Sequence, residues 1–219
     1  MYLVVSATEI EMAPFIRAFK EHDPQHRLIT GVGPLETAYS LTRRLAESGN
    51  EVKGVLNFGI GGAYPIINGS LGANLLDICV ADLEIMGDLG ICFNDRIEEF
   101  NSDNISVPTR FPFDDKLTSQ VVELLEHAGI PSRRGAFVTV CGVSGTAERG
   151  EMVGTRVGGL CENMEGAAAA RVCQAFELPF IELRCISNFV EDRDVSKWRL
   201  TDACEKAGRA AAVVARTLL

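Results

Sequence analysis

Short apolar runs alternate with longer amphipathic stretches along most of the chain. Residues 2–6, 55–58, 75–80, 136–140 and 180–186 have the length of strands, and most are followed closely by Gly, Ser or Asn. Between them, apolar residues recur at helical spacing over 10–20, 35–47, 116–128, 166–176 and 197–218. Thr8 and Glu11 form the T-x-x-E pattern of a capping box, which marks the start of the first helix. Strand and helix in alternation predict a three-layer α/β/α fold around a central mixed, largely parallel sheet, with its ligand crevice at the carboxyl ends of the strands. No repeat, linker or low-complexity tract divides residues 1–219, so one domain is expected; residues 94–112 are the longest irregular segment.

Composition narrows the function more than the fold. With 21 basic and 30 acidic residues the net charge is -9, which disfavours a nucleic-acid partner, because gripping a phosphate backbone needs clustered Lys and Arg. The apolar opening runs straight into Glu9 and Glu11 with no basic leader, and no span reaches the length of a membrane helix, so a soluble, cytoplasmic protein is expected. Seven cysteines without a C-x-x-C pair read as reduced, buried thiols. His22 and His26 have helical spacing but Pro24 between them, in a polar stretch. Neither a metal site nor a cofactor is expected.

Three segments after strands carry possible chemistry. Asn57-Phe58-Gly59-Ile60-Gly61-Gly62-Ala63 sets glycines behind a strand, where backbone N–H groups can approach a ligand; it fits neither a dinucleotide fingerprint nor a P-loop, and it also reads as a tight turn. Asn163-Met164-Glu165-Gly166 puts a carboxylate at a helix start, where the helix dipole alone would favour it. Arg184-Cys185-Ile186-Ser187-Asn188 ends an apolar strand in polar residues, with Asn188 also a natural turn former.

Taken together and in order, with Ala7-Thr8-Glu9-Ile10-Glu11 in front of them, these segments resemble the superfamily of methylthioadenosine/adenosylhomocysteine nucleosidases and nucleoside phosphorylases. The resemblance implies a small-molecule purine nucleoside substrate and a homodimer. It assigns Glu11 to the attacking water, Glu165 to the ribose hydroxyls and Met164 to the sugar face, with Ile60, Gly61, Gly62 and Asn163 around them. Phosphorylases of the superfamily carry a phosphate-binding arginine after the first strand; this chain has Glu9 and Glu11 there and no arginine before Arg17, which favours water as nucleophile. A phosphate-dependent inosine or guanosine phosphorylase and a methylthioadenosine nucleosidase are the alternatives.

Adenine-specific members place an aspartic acid where this chain has Asn188. A carboxamide offers a donor and an acceptor together, which suits a 6-oxopurine such as hypoxanthine. A hydrolytic site of this kind, extended through Phe189, Val190, Arg193 and Asp194, is similar to the futalosine-hydrolysing branch of the superfamily and implies a place in menaquinone assembly. Arg193 has two readings, a partner for a substrate carboxylate or a surface ion pair with Asp192 or Asp194. The loop Thr139 to Thr146 is expected over the purine through Val143 and Ser144; with Val143 where relatives have an aromatic residue, Phe189 is the candidate to stack on the base.

Overall fold

The computed structural model describes residues 1–65, 72–100 and 106–218. In chain order its elements are β1 (Tyr2–Ser6), α1 (Glu9–Ala18), β2 (Arg27–Ile29), α2 (Pro34–Ser48), β3 (Gly54–Ala63), β4 (Ile78–Met86), β5 (Ile91–Cys92), β6 (Ile97–Glu98), β7 (Arg110–Pro112), α3 (Asp115–His127), β8 (Ser132–Thr139), α4 (Ala147–Val157), β9 (Cys161–Asn163), α5 (Gly166–Ala175), β10 (Phe180–Phe189) and α6 (Leu200–Leu218). The main sheet runs β10-β4-β8-β9-β3-β1-β2, with β7 beside β4. β10 also pairs with β3, so β3, β10, β4, β8 and β9 close into a ring from which β1 and β2 extend. Most pairings are parallel; β10–β4, β3–β9 and β4–β7 are antiparallel. This is the mixed, largely parallel α/β sheet read from the sequence. Its closure depends on β9, three residues long and too short to leave a periodic signal.

Helices cover both faces. α1, α3 and α6 pack on Leu56, Phe58, Ile181 and Leu183 with Phe15, Leu125, Ala207 and Ala211 at the centre. α2 and α5 cover the other face through Leu41, Leu45, Ala169 and Ala170 against Leu3, Val5 and Val55. Neighbours Val4 and Val5, like Val55 and Leu56, fall in different clusters, as the two-residue period of a strand demands. The capping box at α1 is present in full: the Thr8 side chain accepts from the Glu11 N–H, and the Glu11 carboxylate accepts from the Thr8 N–H.

Several boundaries differ from the sequence expectation. β4 starts at Ile78 rather than at residue 75, because Leu76 adopts φ 66° in a turn that Asp77 closes by accepting from the Asn74 N–H at 2.9 Å. The last helix starts at Leu200, after a 3-10 turn at Val195–Lys197 held by Asp194. Helix α4 went unforeseen although Thr146 caps it and Gly158 ends it in the left-handed conformation. The stretch 94–112 contains β6 and β7, and its residues 101–105 lie outside the described residues. His22 is buried although its stretch is polar: it is 2% exposed, packs edge-on against Phe15 and Phe19, and its Nδ1 accepts from Arg27 Nε at 3.3 Å. Of the seven free cysteines, Cys92 and Cys141 are exposed, since they lie on a short hairpin and a loop rather than in the core.

Candidate active site

A cavity of about 300 Å³ opens at the carboxyl ends of β1, β3 and β10. It is lined by Glu11, Ile60, Gly61, Gly62, Val143, Ser144, Asn163, Met164, Glu165, Asn188 and Arg193, all singled out from the sequence, and also by Val32, Glu162, Arg184, Trp198, Leu200 and Cys204. The glycines do not form a turn. Gly59, Gly61 and Gly62 lie inside β3, and what they supply is room. A Cβ on Gly59 would stand 2.5 Å from Glu11 Oε1 and 2.7 Å from Arg184 Nη1, so only glycine lets both groups converge over the strand.

Glu11 is 5% exposed and fixed from two sides. Thr8 Oγ1 donates to its Oε2 at 2.7 Å, and the Ile60 N–H donates to Oε1 at 3.1 Å. Burial pushes its carboxyl above the usual carboxylate range, while Arg184 and the bonds from Thr8 and Ile60 pull it back in part. A carboxylate so placed is a competent general base.

Beneath it lies a buried ionic cluster that the sequence did not announce. Arg184 is 1% exposed; its Nε donates to Glu182 Oε1 at 2.9 Å, Nη1 to Glu165 Oε2 at 3.2 Å and Nη2 to Asn163 Oδ1 at 3.2 Å. Burial opposes its charge, but Glu182, Glu165 and Glu11 outweigh that and hold its pKa above the ordinary value. Glu165 is 5% exposed, and its other oxygen accepts from the Gly33 N–H at 3.1 Å. Each Glu165 oxygen thus keeps a lone pair for a ligand hydroxyl. Glu165 stands at the start of α5 without capping it; the Glu165 and Gly166 N–H groups bond Asn163 Oδ1 instead, at 2.9 Å and 2.7 Å.

A register shift in β10 between Ile186 and Asn188 aims the base end of the site. Strict alternation would put Asn188 on the face of Glu182 and Arg184; the extra residue, Ser187, moves it in register with Gly62 instead. Asn188 Oδ1 accepts from Ser187 Oγ at 2.8 Å and its Nδ2 donates to the Phe189 carbonyl at 3.0 Å, which leaves one N–H and one lone pair for a ligand.

Phe189 does not line this cavity. The next residue along the strand, it lines an adjoining hollow with Leu75, Glu191 and Lys197. The aromatic ring in the cavity is Trp198, and the Arg193 guanidinium lies over it, 4.5 Å from the ring centre. Asp192 and Asp194 are occupied elsewhere, by the Ala147 N–H and by Ser196, so among the described residues Arg193 has no carboxylate partner. A lone Trp two residues before an amphipathic helix was the available signal for Trp198. Arg17, the first arginine after β1, is on the surface and pairs with Glu205. Among the described residues no group of three or more His, Cys, Asp or Glu could hold a metal ion, and no helix is long and apolar enough to cross a membrane.

The model of the phosphorylase superfamily matches residues 14–219. The chain belongs to that superfamily, and it is an N-glycosyl hydrolase within it. It is similar to the futalosine hydrolase of Thermus thermophilus, 31% identical with 96% of this chain and 93% of the relative covered, and to that of Streptomyces coelicolor, 29% identical over 92% and 89%. A solved futalosine hydrolase mutant of Helicobacter pylori superposes with a TM-score of 0.80 at 19% identity, covering 98% of each chain, which shows the shared fold.

Proposed function

We propose that the chain hydrolyses the N-ribosidic bond of a 6-oxopurine nucleoside, with futalosine as substrate and hypoxanthine as the released base. The observation that carries this reading is one cavity with two buried carboxylates, Glu11 and Glu165, beside Arg184 and a carboxamide, Asn188, at its base end. Glu11 takes a proton from water as it attacks the anomeric carbon. Glu165 accepts from the ribose hydroxyls, a bond that strengthens as the ring becomes cationic and so lowers the barrier. The base departs as its N7 takes a proton from solvent water, matched by the proton that Glu11 later returns to solvent. Asn188 Oδ1 accepts from the resulting N7–H, while Nδ2 donates to O6. Met164 packs against the sugar.

Water as nucleophile is supported by the surroundings of Glu11. The arginines that line the cavity are Arg184, already shared among Glu182, Glu165 and Asn163, and Arg193 over Trp198. A phosphate dianion would stand against the carboxylates. Futalosine as the particular substrate is supported by the activity of the two curated relatives and by Arg193, whose unpaired guanidinium suits a carboxylate on the 5′-substituent. With that substrate the reaction belongs to menaquinone assembly, in the cytoplasm, where thiols stay reduced. Ile10 and Val32, at the cavity, are 74% and 54% exposed, with Leu35 and Tyr39 of α2 exposed nearby. A second copy of the chain is the partner we assign to this apolar rim.

The test is release of hypoxanthine from futalosine and from inosine, each with and without phosphate and at falling enzyme concentration. Phosphate-independent release from futalosine, weakening as a dimer dissociates, is expected. Phosphate-dependent release from inosine, or release of adenine from methylthioadenosine in its place, would overturn the reading. A second expectation concerns Asn188→Asp. An aspartic acid can give N7 a proton but offers O6 no amide donor, so the ratio of kcat/KM for 6-amino over 6-oxo nucleosides should rise about tenfold or more. An unchanged ratio would remove Asn188 from base selection.

A further inference from the structure

The reaction above leaves one charged residue of the cavity wall without a part. Glu162, on β9, is 5% exposed and lines the cavity beside Ser144. Its position in the sheet is informative. Glu162 is in register with Gly62 of β3, and Gly62 is in register with Asn188 of β10. In-register neighbours project their side chains on the same face. The row therefore runs carboxamide, bare glycine, carboxylate. A Cβ on Gly62 would stand 3.1 Å from Asn188 Nδ2, so the glycine is what lets the carboxamide lean over its strand on the side of Glu162. At about 4.8 Å per strand the outer Cα atoms stand roughly 10 Å apart.

The Glu162 carboxylate is held in place before any ligand arrives. Its Oε1 accepts from the Ser144 N–H at 2.9 Å, and its Oε2 accepts from Ser144 Oγ at 2.8 Å and from the Tyr64 hydroxyl at 3.4 Å. An ionised carboxylate has about four acceptor positions, so one remains, on Oε1. Burial raises this carboxyl, while the bonds from Ser144 and Tyr64 and the charge of Arg149 favour the ionised form.

We infer that Glu162 is a specificity-determining residue that accepts a hydrogen bond from N1–H of a 6-oxopurine. The inference rests on the reading of the leaving base given above. Around the edge of such a base the order is N7, O6, N1, and the row on the sheet presents acceptor and donor at Asn188 followed by an acceptor at Glu162. A 6-aminopurine carries a lone pair at N1, which a buried carboxylate repels and leaves unpaired. Asn188 and Glu162 would then select the same base from two edges.

The test is a set of dissociation constants for hypoxanthine, 1-methylhypoxanthine and adenine with the whole enzyme, wild type, Glu162→Ala and Glu162→Gln. Wild type should bind hypoxanthine at least about tenfold more tightly than its 1-methyl form, which lacks the donor and adds bulk at the contact. Glu162→Ala should bring the two within about threefold, because both the acceptor and the obstruction are gone. Glu162→Gln keeps the bulk and can donate to N1, so it should raise the affinity for adenine relative to hypoxanthine about tenfold. Loss of affinity in both variants with every ratio unchanged would mean that Glu162 only ties down the Ser144 loop, and would overturn the inference. Failure of the wild type to bind hypoxanthine or to release it from any nucleoside would instead overturn the reading on which it rests.

Discussion

Glu11→Gln is expected to lower kcat by about 10³-fold while hypoxanthine affinity stays within a few-fold of wild type. Glutamine has nearly the shape of glutamate, and its carbonyl can still accept from the Ile60 N–H, which donates to Glu11 at 3.1 Å. What it cannot do is take a proton from water. Its amide also faces Thr8, whose hydroxyl and N–H both donate to Glu11 Oε2, so part of the capping box is lost at a stability cost of about 1 kcal/mol. Steady-state turnover, with base binding measured in parallel, separates the two effects. The pH profile adds a second mark. Glu11 must be ionised to act and burial raises its pKa, so kcat/KM of the wild type should fall as pH drops through that raised value. A Gln variant with turnover near that of wild type would end the assignment of Glu11 as base.

What was legible in the sequence divides along a physical line. Five of the strands, β1, β3, β4, β8 and β10, five of the six helices and the start of α1 follow from periodicity and capping, which are local. Eleven of the twelve site residues line one cavity because they lie at or shortly beyond the carboxyl ends of strands, and such ends converge in a parallel sheet. Phe189 was misplaced because strand alternation had to be counted through the extra residue at Ser187, and a bulge leaves no mark in composition. Glu84 and Glu182 were invisible for a related reason. Glu84 lies beyond the expected strand 75–80, where a charge reads as a strand end, and Glu182 lies inside the expected strand 180–186, where a single charge reads as a solvated position. Here both are fully buried, so β4 and β10 continue past them. Only tertiary structure brings Arg184, Asn57, Asn163 and Thr139 around them.

That buried cluster yields the second large expected effect. Four carboxyl groups, Glu11, Glu84, Glu165 and Glu182, surround one guanidinium. Glu84 accepts from Thr139 Oγ1 at 2.8 Å and from Asn163 Nδ2 at 2.6 Å, while Glu182 Oε2 has no hydrogen-bond partner. Glu84 Oε1 and Glu182 Oε2 both lie against the Cα of Gly166, so close that a Cβ there would overlap each of them. Two acceptors so placed need a proton between them. Burial raises both carboxyls, Glu84 the more, and their mutual repulsion adds to the shift of Glu84.

Arg184→Met should therefore destabilise the fold by about 3–5 kcal/mol, since it leaves buried carboxylates without a cation. The sign of its pH dependence follows from the direction of the shifts. A carboxyl whose folded pKa is raised contributes stability that is complete below its unfolded value, about 4.3, and is lost as pH rises toward the folded value. Removing Arg184 raises these carboxyls further. The loss should thus be larger at pH 8 than at pH 5, where more of the cluster is protonated in the folded state. Glu182→Gln added to Arg184→Met should recover part of it, because the amide donates toward Glu84 where Glu182 Oε2 stood and needs no proton. Urea unfolding at the two pH values measures this directly. Equal destabilisation at both, with no recovery from the second substitution, would show that Arg184 supports the fold through packing alone, and that the charge balance of the cluster does not govern the stability of the site.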